Sequence, residues 1–183
     1  MKPDIIIVCG PGAAGKSSTV SKIVELRDDC VELVSYTTRP MRKDEADGID
    51  YHFVDEATFI SKVNSGDMFE YTKYNNNYYG LSKTSFQDDV DKFKFVIVDG
   101  EGMRSIKETF ANTRVRSLLM LPPSTKEMIV RMKAQGRTKE EIGYRLNRLN
   151  RESAVVNSGF DFVAINRDIE DCANLVVRML DLP

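Results

Sequence analysis

The sequence predicts an α/β fold whose parallel sheet is covered on both faces. Two observations carry this. Short, wholly apolar runs recur along the chain, and nearly every one is followed by an amphipathic stretch long enough for a helix. A strand without polar alternation has no face to offer water, so both of its faces must be covered. A chain of 183 residues can bury a real core as one domain, and 42% hydrophobic with 30% charged residues is the balance of a globular protein.

Taken in order, residues 5–9 (IIIVC) read as a buried strand, 16–27 as a helix and 32–35 as a short strand. Further buried strands are expected at 94–99 (KFVIVD), 115–121 (VRSLLML) and 160–166 (FDFVAIN). Helices should follow them over 103–110, 124–135 and 169–180. Two stretches break this alternation. Between residues 37 and 82 the chain is polar and rich in Arg, Tyr, Asn and Gly, with strand-like pieces (YHFV, MFEYTKY) and a turn at Asn75-Asn76-Asn77. Ser35 is expected to close a core strand and Ser82 to open a helix, so this region reads as an insertion standing off the sheet. Residues 131–151 read as a strongly charged helix–loop–helix. The resulting division is a core of 1–35, 82–130 and 152–183, an insertion of 36–81 and a helical element of 131–151.

Composition excludes several classes of function. A formal net charge of -2 gives no general attraction to nucleic acid or to an anionic membrane. Cys9, Cys30 and Cys172 are too widely spaced for a disulfide framework or a CxxC metal pair, and Cys9 is expected simply to pack. The apolar run before Gly10 is too short for a signal-peptide core or a membrane span, which leads to the expectation of a cytoplasmic location.

Gly10-Pro11-Gly12-Ala13-Ala14-Gly15-Lys16-Ser17 fits the pattern GxxxxGK[ST] at every fixed position, between a buried strand and a helix. Small residues let backbone N–H groups curl around phosphates, and a helix N-terminus favours negative charge. Lys16 is expected to reach the β- and γ-phosphates of ATP, and the Ser17 hydroxyl to ligate Mg²⁺. The expected ATP site is this loop together with Ser18, in a P-loop NTPase core. Asp99 closes an apolar run, either as a Mg²⁺-organising carboxylate or as the cap of the next helix.

Further motifs follow in order: Ser35-Tyr36-Thr37-Thr38-Arg39-Pro40 with Arg42, then Asp47-Gly48-Ile49-Asp50-Tyr51-His52-Phe53, Phe69-Glu70, Asn77-Tyr78-Tyr79-Gly80, Leu121-Pro122-Pro123-Ser124 and Asn166. Their order and spacing resemble the guanylate kinase family over nearly the whole chain. The resemblance implies that the insertion is a nucleoside-monophosphate-binding lobe and that residues 131–151 are a mobile lid. It implies that Ser35 and Glu70 read guanine, and that Arg39, Arg42, Tyr51 and Tyr79 clamp the GMP phosphate. Asp99 would lie near the base and the catalytic centre. Arg131, Arg137 and Arg145 would contact phosphates from the lid, and Asn166 would sit beside the adenine of ATP.

The implied activity is ATP-dependent phosphorylation of GMP or dGMP, with Lys16, Arg39, Asp99, Arg131, Arg137 and Arg145 at the catalytic centre. The partners implied are small nucleotides, with neither nucleic acid nor membrane, on a monomer or homodimer. The chemistry is self-consistent, since a monophosphate supplies its own ionised oxygen as nucleophile and needs no general base. His52, the one histidine, is expected to be structural. The chain departs from the family pattern at three places: Ile97 where an aspartate is usual, Leu81 where Ser or Thr is usual, and Glu101 where Gln is usual. The first two keep open a second acceptor, either another nucleoside monophosphate or a small phosphorylated molecule. A guanylate-kinase-like interaction module without catalysis is the alternative of a different class.

Overall fold

Strand β1 (Ile5–Cys9) runs through the middle of a five-stranded parallel sheet. Its order is β2 (Cys30–Glu32), β7 (Phe93–Ile97), β1, β8 (Val115–Leu121) and β9 (Phe162–Ile165). The structure, a computed structural model, describes residues 4–43, 45–74, 76–87, 91–152 and 159–182. Registers Val8↔Ile97, Cys9↔Leu119 and Leu121↔Ile165 bring the carboxyl ends of four strands to one edge. That edge, where chain order reverses on either side of β1, is where ligands bind in open α/β sheets.

Side chains alternate strictly between the sheet faces. Ile6, Val8, Phe95, Leu118 and Met120 pack under α1 (Lys16–Leu26) and α6 (Ile169–Leu180), meeting Val20, Ile23, Cys172, Ala173 and Val176. Ile5, Ile7, Cys9 and Val96 face the other way, onto Met103 and Ile106 of α3 (Gly100–Thr109). All three cysteines are buried and free, and burial pushes the Cys9 thiol up to about 12. Arg116, inside β8, turns its guanidinium onto the Met179 and Leu180 carbonyls at the end of α6 and pairs with Asp4. A cation there suits the exposed carbonyls of a helix C-terminus.

Several expectations are corrected in detail. The short strand is Cys30–Glu32 rather than 32–35: its parallel pairing with β7 ends where Leu33 gives its N–H to the Phe95 carbonyl at 2.8 Å. Helix α3 starts at Gly100, earlier than residue 103, because the Asp99 carboxylate accepts from the N–H groups of Glu101 and Gly102. Strand β9 is not buried on both faces: Val163 and Ile165 are 57% and 47% exposed. It lies at the edge of the sheet, where one face lacks a covering helix among the described residues.

Between the two parts of the core stands a second sheet. Its order is β4 (His52–Phe53), β3 (Tyr36–Thr37), β6 (Asn77–Ser82) and β5 (Met68–Tyr74). Tyr74 pairs with Asn77 across a tight hairpin in which Asn76 takes φ 62°, and Asn75 lies outside the described residues. Ser82 ends β6 instead of opening a helix; one short helical turn, Thr84–Phe86, follows it. Helix α2 (Glu56–Asn64) was not apparent in the sequence. Asp55 caps it, and its fully buried Phe59 stacks on Tyr78 with ring centres 5.3 Å apart. His52 stacks on Tyr36 at 4.6 Å, a packing role.

Residues 131–151 span the end of α4 (Thr125–Ala134) and most of α5 (Lys139–Glu152). Met128, Met132 and Ile142 join the two helices, with Ala13 of the phosphate-binding loop against them. The expected return to the core after residue 152 falls on 153–158, which lie outside the described residues.

Candidate active site

The loop of residues 10–17 leaves the carboxyl end of β1 and turns into α1. Three of its residues take a positive φ, Gly10 at 148°, Ala13 at 60° and Gly15 at 85°, the last being the residue that opens the helix. Side chains cap α2, α3, α4 and α6 through Asp55, Asp99, Ser124 and Asp168, and Thr138 and Glu141 cap each other's N–H groups at α5. Among the described residues α1 is the one α-helix with no side-chain cap and no acidic residue in its first turn. Its positive end, without a side-chain cap, suits an anion.

Lys16 folds back so that Nζ donates to the carbonyls of Gly10 at 2.8 Å and Pro11 at 3.0 Å. Ser17 and Ser18 are exposed at the start of the helix, whereas Pro11 and Ala14 are buried. Asn166, at the end of β9, is fully buried and gives its amide N–H₂ to the Ala14 carbonyl at 2.9 Å and the Thr19 hydroxyl at 3.2 Å. Its side chain therefore braces the loop from behind.

Two arginines of the α4–α5 pair, Arg131 and Arg145, reach this loop, and Arg137 lies in the connection between the two helices. Arg131 donates to Glu127 at 3.1 Å and to the Asn166 carbonyl at 3.0 Å, above Gly15. Arg145 lies so close to Gly12 that a Cβ there would collide with its guanidinium. Arg137 pairs with Glu141 at 3.6 Å. Burial, and then the charges of Arg42 and Arg145, hold its pKa below the usual arginine value. Arg42, Arg137 and Arg145 thus form one positive cluster drawn from the second sheet's loop and the lid.

The 39–45 loop gathers a second group of cationic and aromatic side chains. Arg39 grips Glu45 with both terminal nitrogens, each at 2.8 Å, and stands 5.4 Å over the rings of Tyr51 and Phe53. Arg42 meets the same carboxylate through its backbone N–H at 2.8 Å and Nη1 at 3.1 Å. Tyr51 and Tyr79 meet edge to face at 5.9 Å beside them. Burial opposes the charge on Arg39, but the hydrogen bonds and charge of Glu45 leave its pKa raised. Glu45 was not singled out in the sequence; the spacing Arg39–Arg42–Glu45 was its only trace.

On the other side of the second sheet a cleft of about 280 Å³ is lined by Phe69, Glu70 and Thr72 from β5 and by Asp99, Glu101 and Ser105 from the start of α3. Burial, and then the nearby Asp99 charge, raise the pKa of Glu70 to about 7. Asp99 connects the cleft to the phosphate loop, since its backbone carbonyl faces Cys9 Sγ, the residue before Gly10, at 3.7 Å. Ser35 lies between β2 and β3 with its carbonyl accepting from His52 N–H at 2.9 Å, outside the residues lining the cleft.

Neither departure that keeps another acceptor open touches this cleft. Leu81 is fully buried with Val96 and Met103, and Ile97 packs on the opposite face of the main sheet.

A phosphate-binding loop at the switch point of a parallel sheet, with an inserted lobe on one side and an arginine-bearing helix pair on the other, defines a P-loop kinase of the nucleoside monophosphate class. The guanylate kinase family model matches residues 2–182. The chain is 31% identical to a guanylate kinase of Thermotoga maritima, over 98% of this chain and 87% of that one. It is 34% identical to a guanylate kinase of Vibrio vulnificus over 92% and 83%. The crystal structure of guanylate kinase from Anaplasma phagocytophilum superposes with a TM-score of 0.73 at 26% identity, covering 98% of this chain and 85% of that one. A shikimate kinase from Acinetobacter baumannii, 11% identical with a TM-score of 0.53, shares the fold. The chain belongs to the guanylate kinase family. No helix among the described residues is long and apolar enough to cross a membrane.

Proposed function

We propose that the chain transfers the γ-phosphoryl group of ATP to the phosphate of GMP or dGMP, yielding ADP and GDP or dGDP. One observation carries this reading. One lobe contributes both Glu70, the wall of a carboxylate cleft closed by α3 and suited to N–H donors, and an Arg–Tyr group suited to a phosphate, and Arg42 couples that group to the lid arginines above the phosphate loop.

The phosphates of ATP lie in the loop of residues 10–17 against the uncapped end of α1, braced by Asn166. Lys16 exchanges the Gly10 and Pro11 carbonyls for β- and γ-phosphate oxygens. The Ser17 hydroxyl, exposed at the start of α1, would hold Mg²⁺, which would supply charge neutralisation at those phosphates. Glu70 accepts the N1 and N2 hydrogens of guanine, supported by Asp99; Ser35, in the connection between the sheets and outside the cleft, reaches the base only as the lobe closes. Arg39, Arg42, Tyr51 and Tyr79 hold the GMP phosphate.

One of that phosphate's ionised oxygens forms the new bond to the γ-phosphorus as the bond to the β-bridging oxygen breaks. No proton has to be removed first. Arg131, Arg137 and Arg145 offset the charge spread over the transferring group, for which planar guanidinium forks are well shaped. Closure of lid and lobe excludes water, limiting loss of ATP to hydrolysis.

The test is an ATP-dependent coupled assay for ADP release across the common nucleoside monophosphates, with Lys16→Ala as control. Turnover with GMP or dGMP alone, reduced about 10²–10³-fold in the variant, supports the reading. Turnover with a different monophosphate overturns the acceptor and leaves the mechanism.

A further inference from the structure

The cleft presents an imbalance that its fold explains. Glu70, Asp99 and Glu101 all line it, and an ionised carboxylate accepts hydrogen bonds without donating any. A guanine ring offers N–H groups at N1 and N2, but also a carbonyl oxygen at O6 that needs a donor. The hydroxyl that the family pattern places directly after Tyr79-Gly80 is absent, because Leu81 stands there, fully buried in the apolar cluster with Val96 and Met103. Ser82, the next residue, is also fully buried, and its hydroxyl is bonded to Asp67 at 2.7 Å and Thr84 at 2.6 Å. The second sheet therefore cannot supply the donor from this end of β6.

Helix α3 can. Ser105 lies one turn after Glu101, so the two side chains leave the same face, and both line the cleft opposite Glu70 and Thr72. The helix is held in that pose by the Asp99 cap at its start and by Met103 and Ile106, which are buried on its other side against the sheet. Asp99 spends one carboxylate oxygen on that cap, at 3.0 Å and 3.1 Å, whereas Glu101 stands exposed at the cleft.

We propose that Ser105 and Glu101 are specificity-determining residues for the acceptor base, the Ser105 hydroxyl donating to O6 and the Glu101 carboxylate accepting an N–H of the exocyclic 2-amino group. The proposal rests on the reading of this cleft as the base site. It assigns to α3 a recognition task for which β6 of this chain has no side chain left.

The experiment compares kcat/KM for GMP, IMP and AMP in the wild type and in Ser105→Ala, Ser105→Thr, Glu101→Gln and Glu70→Gln. IMP keeps O6 but lacks the 2-amino group, and AMP lacks both. Ser105→Ala should lower kcat/KM for GMP and IMP together by about tenfold and leave AMP unchanged, with Ser105→Thr restoring the loss. Glu101→Gln should lower the GMP-to-IMP ratio by about tenfold, chiefly through KM. Unchanged ratios in both α3 variants, with guanine preference lost in Glu70→Gln, would overturn the proposal and leave the cleft as the base site. Guanine preference that survives Glu70→Gln as well would overturn the reading of the cleft itself. Thermal melts of each variant separate these outcomes from misfolding.

Discussion

Glu45 and Arg39 are joined end to end, each carboxylate oxygen 2.8 Å from a terminal guanidinium nitrogen, with the side chains only 11% and 12% exposed. With the Pro40 carbonyl on Nη1 as well, these bonds leave the Nε–H and one Nη2–H of Arg39 as a fork, the one the proposed function assigns to the GMP phosphate. Arg42 is tethered to the same carboxylate. Glu45 is thus a positioning residue that aims two arginines without using up either.

Glu45→Gln should raise KM for GMP about tenfold, with KM for ATP and kcat nearly unchanged, because it loosens the aim of the clamp and leaves the phosphate loop alone. Steady-state kinetics with each substrate varied in turn would measure this. A fall in KM for GMP would mean that Glu45 competes with the phosphate for the arginines.

Gly12 has ordinary backbone angles, so alanine is tolerated there in principle, but its Cβ would meet the Arg145 guanidinium. That group is the far end of a flexible side chain and can move. Gly12→Ala should therefore fold normally while displacing Arg145 from the phosphate site. Phosphoryl transfer should fall about tenfold or more, and Arg145→Ala should cost much less in the Gly12→Ala background than alone. A double-mutant cycle on kcat measures the coupling, and strict additivity would contradict the contact.

How much of this was legible in the sequence follows from which interactions are local. The phosphate-binding loop was, because its glycines, Lys16 and Ser17 are consecutive. Strand β5 and helix α6 agree with the expected pattern to the residue, since each presents a clear apolar period within itself. Helix α2 was hidden because a short insertion rich in Tyr and Asn invites a strand reading, although Asp55 followed by Thr58, Phe59 and Val63 carried a cap and an apolar stripe. The exposure of β9 depends on its being at a sheet edge, which no window of sequence reveals. The bonding of Glu45 and the placing of Ser105 and Glu70 in one cleft are likewise products of tertiary placement. Asp99 was read as either a site carboxylate or a helix cap; it lines the cleft and caps α3 at once.

Glu32 offers a test of stability away from the reaction. Burial, and then the charge of Asp50, raise its pKa from about 4.5 to about 7. The folded state consequently binds more protons than the unfolded state between those values. Stability contributed by the protonated form is full below pH 4.5 and is lost as pH rises through 7. Glu32→Gln stays neutral throughout, so it should match the wild type near pH 4.5 and exceed it at pH 8 by about 3 kcal/mol. Urea unfolding of both proteins at the two pH values would measure the difference, and equal stability at pH 8 would show that the carboxylate is well solvated.

Glu70 applies the same chemistry to recognition. In the free cleft its pKa stands at about 7, raised first by burial and then by Asp99. The ionised form accepts two N–H groups from guanine, whereas the protonated form presents one donor and one acceptor and fits that edge badly. As pH falls below 7, kcat/KM for GMP should therefore decline by about tenfold per pH unit, while kcat at saturating GMP holds, because bound guanine stabilises the carboxylate. Asp99→Asn can keep the cap of α3, since asparagine caps as well as aspartate, but it removes the charge that helps to raise Glu70. The break in the pH profile should then move to lower pH. A break that stays near 7 in Asp99→Asn and disappears in Glu70→Gln would assign the whole shift to burial; a break that survives Glu70→Gln would belong to another group, such as the second ionisation of the GMP phosphate near pH 6.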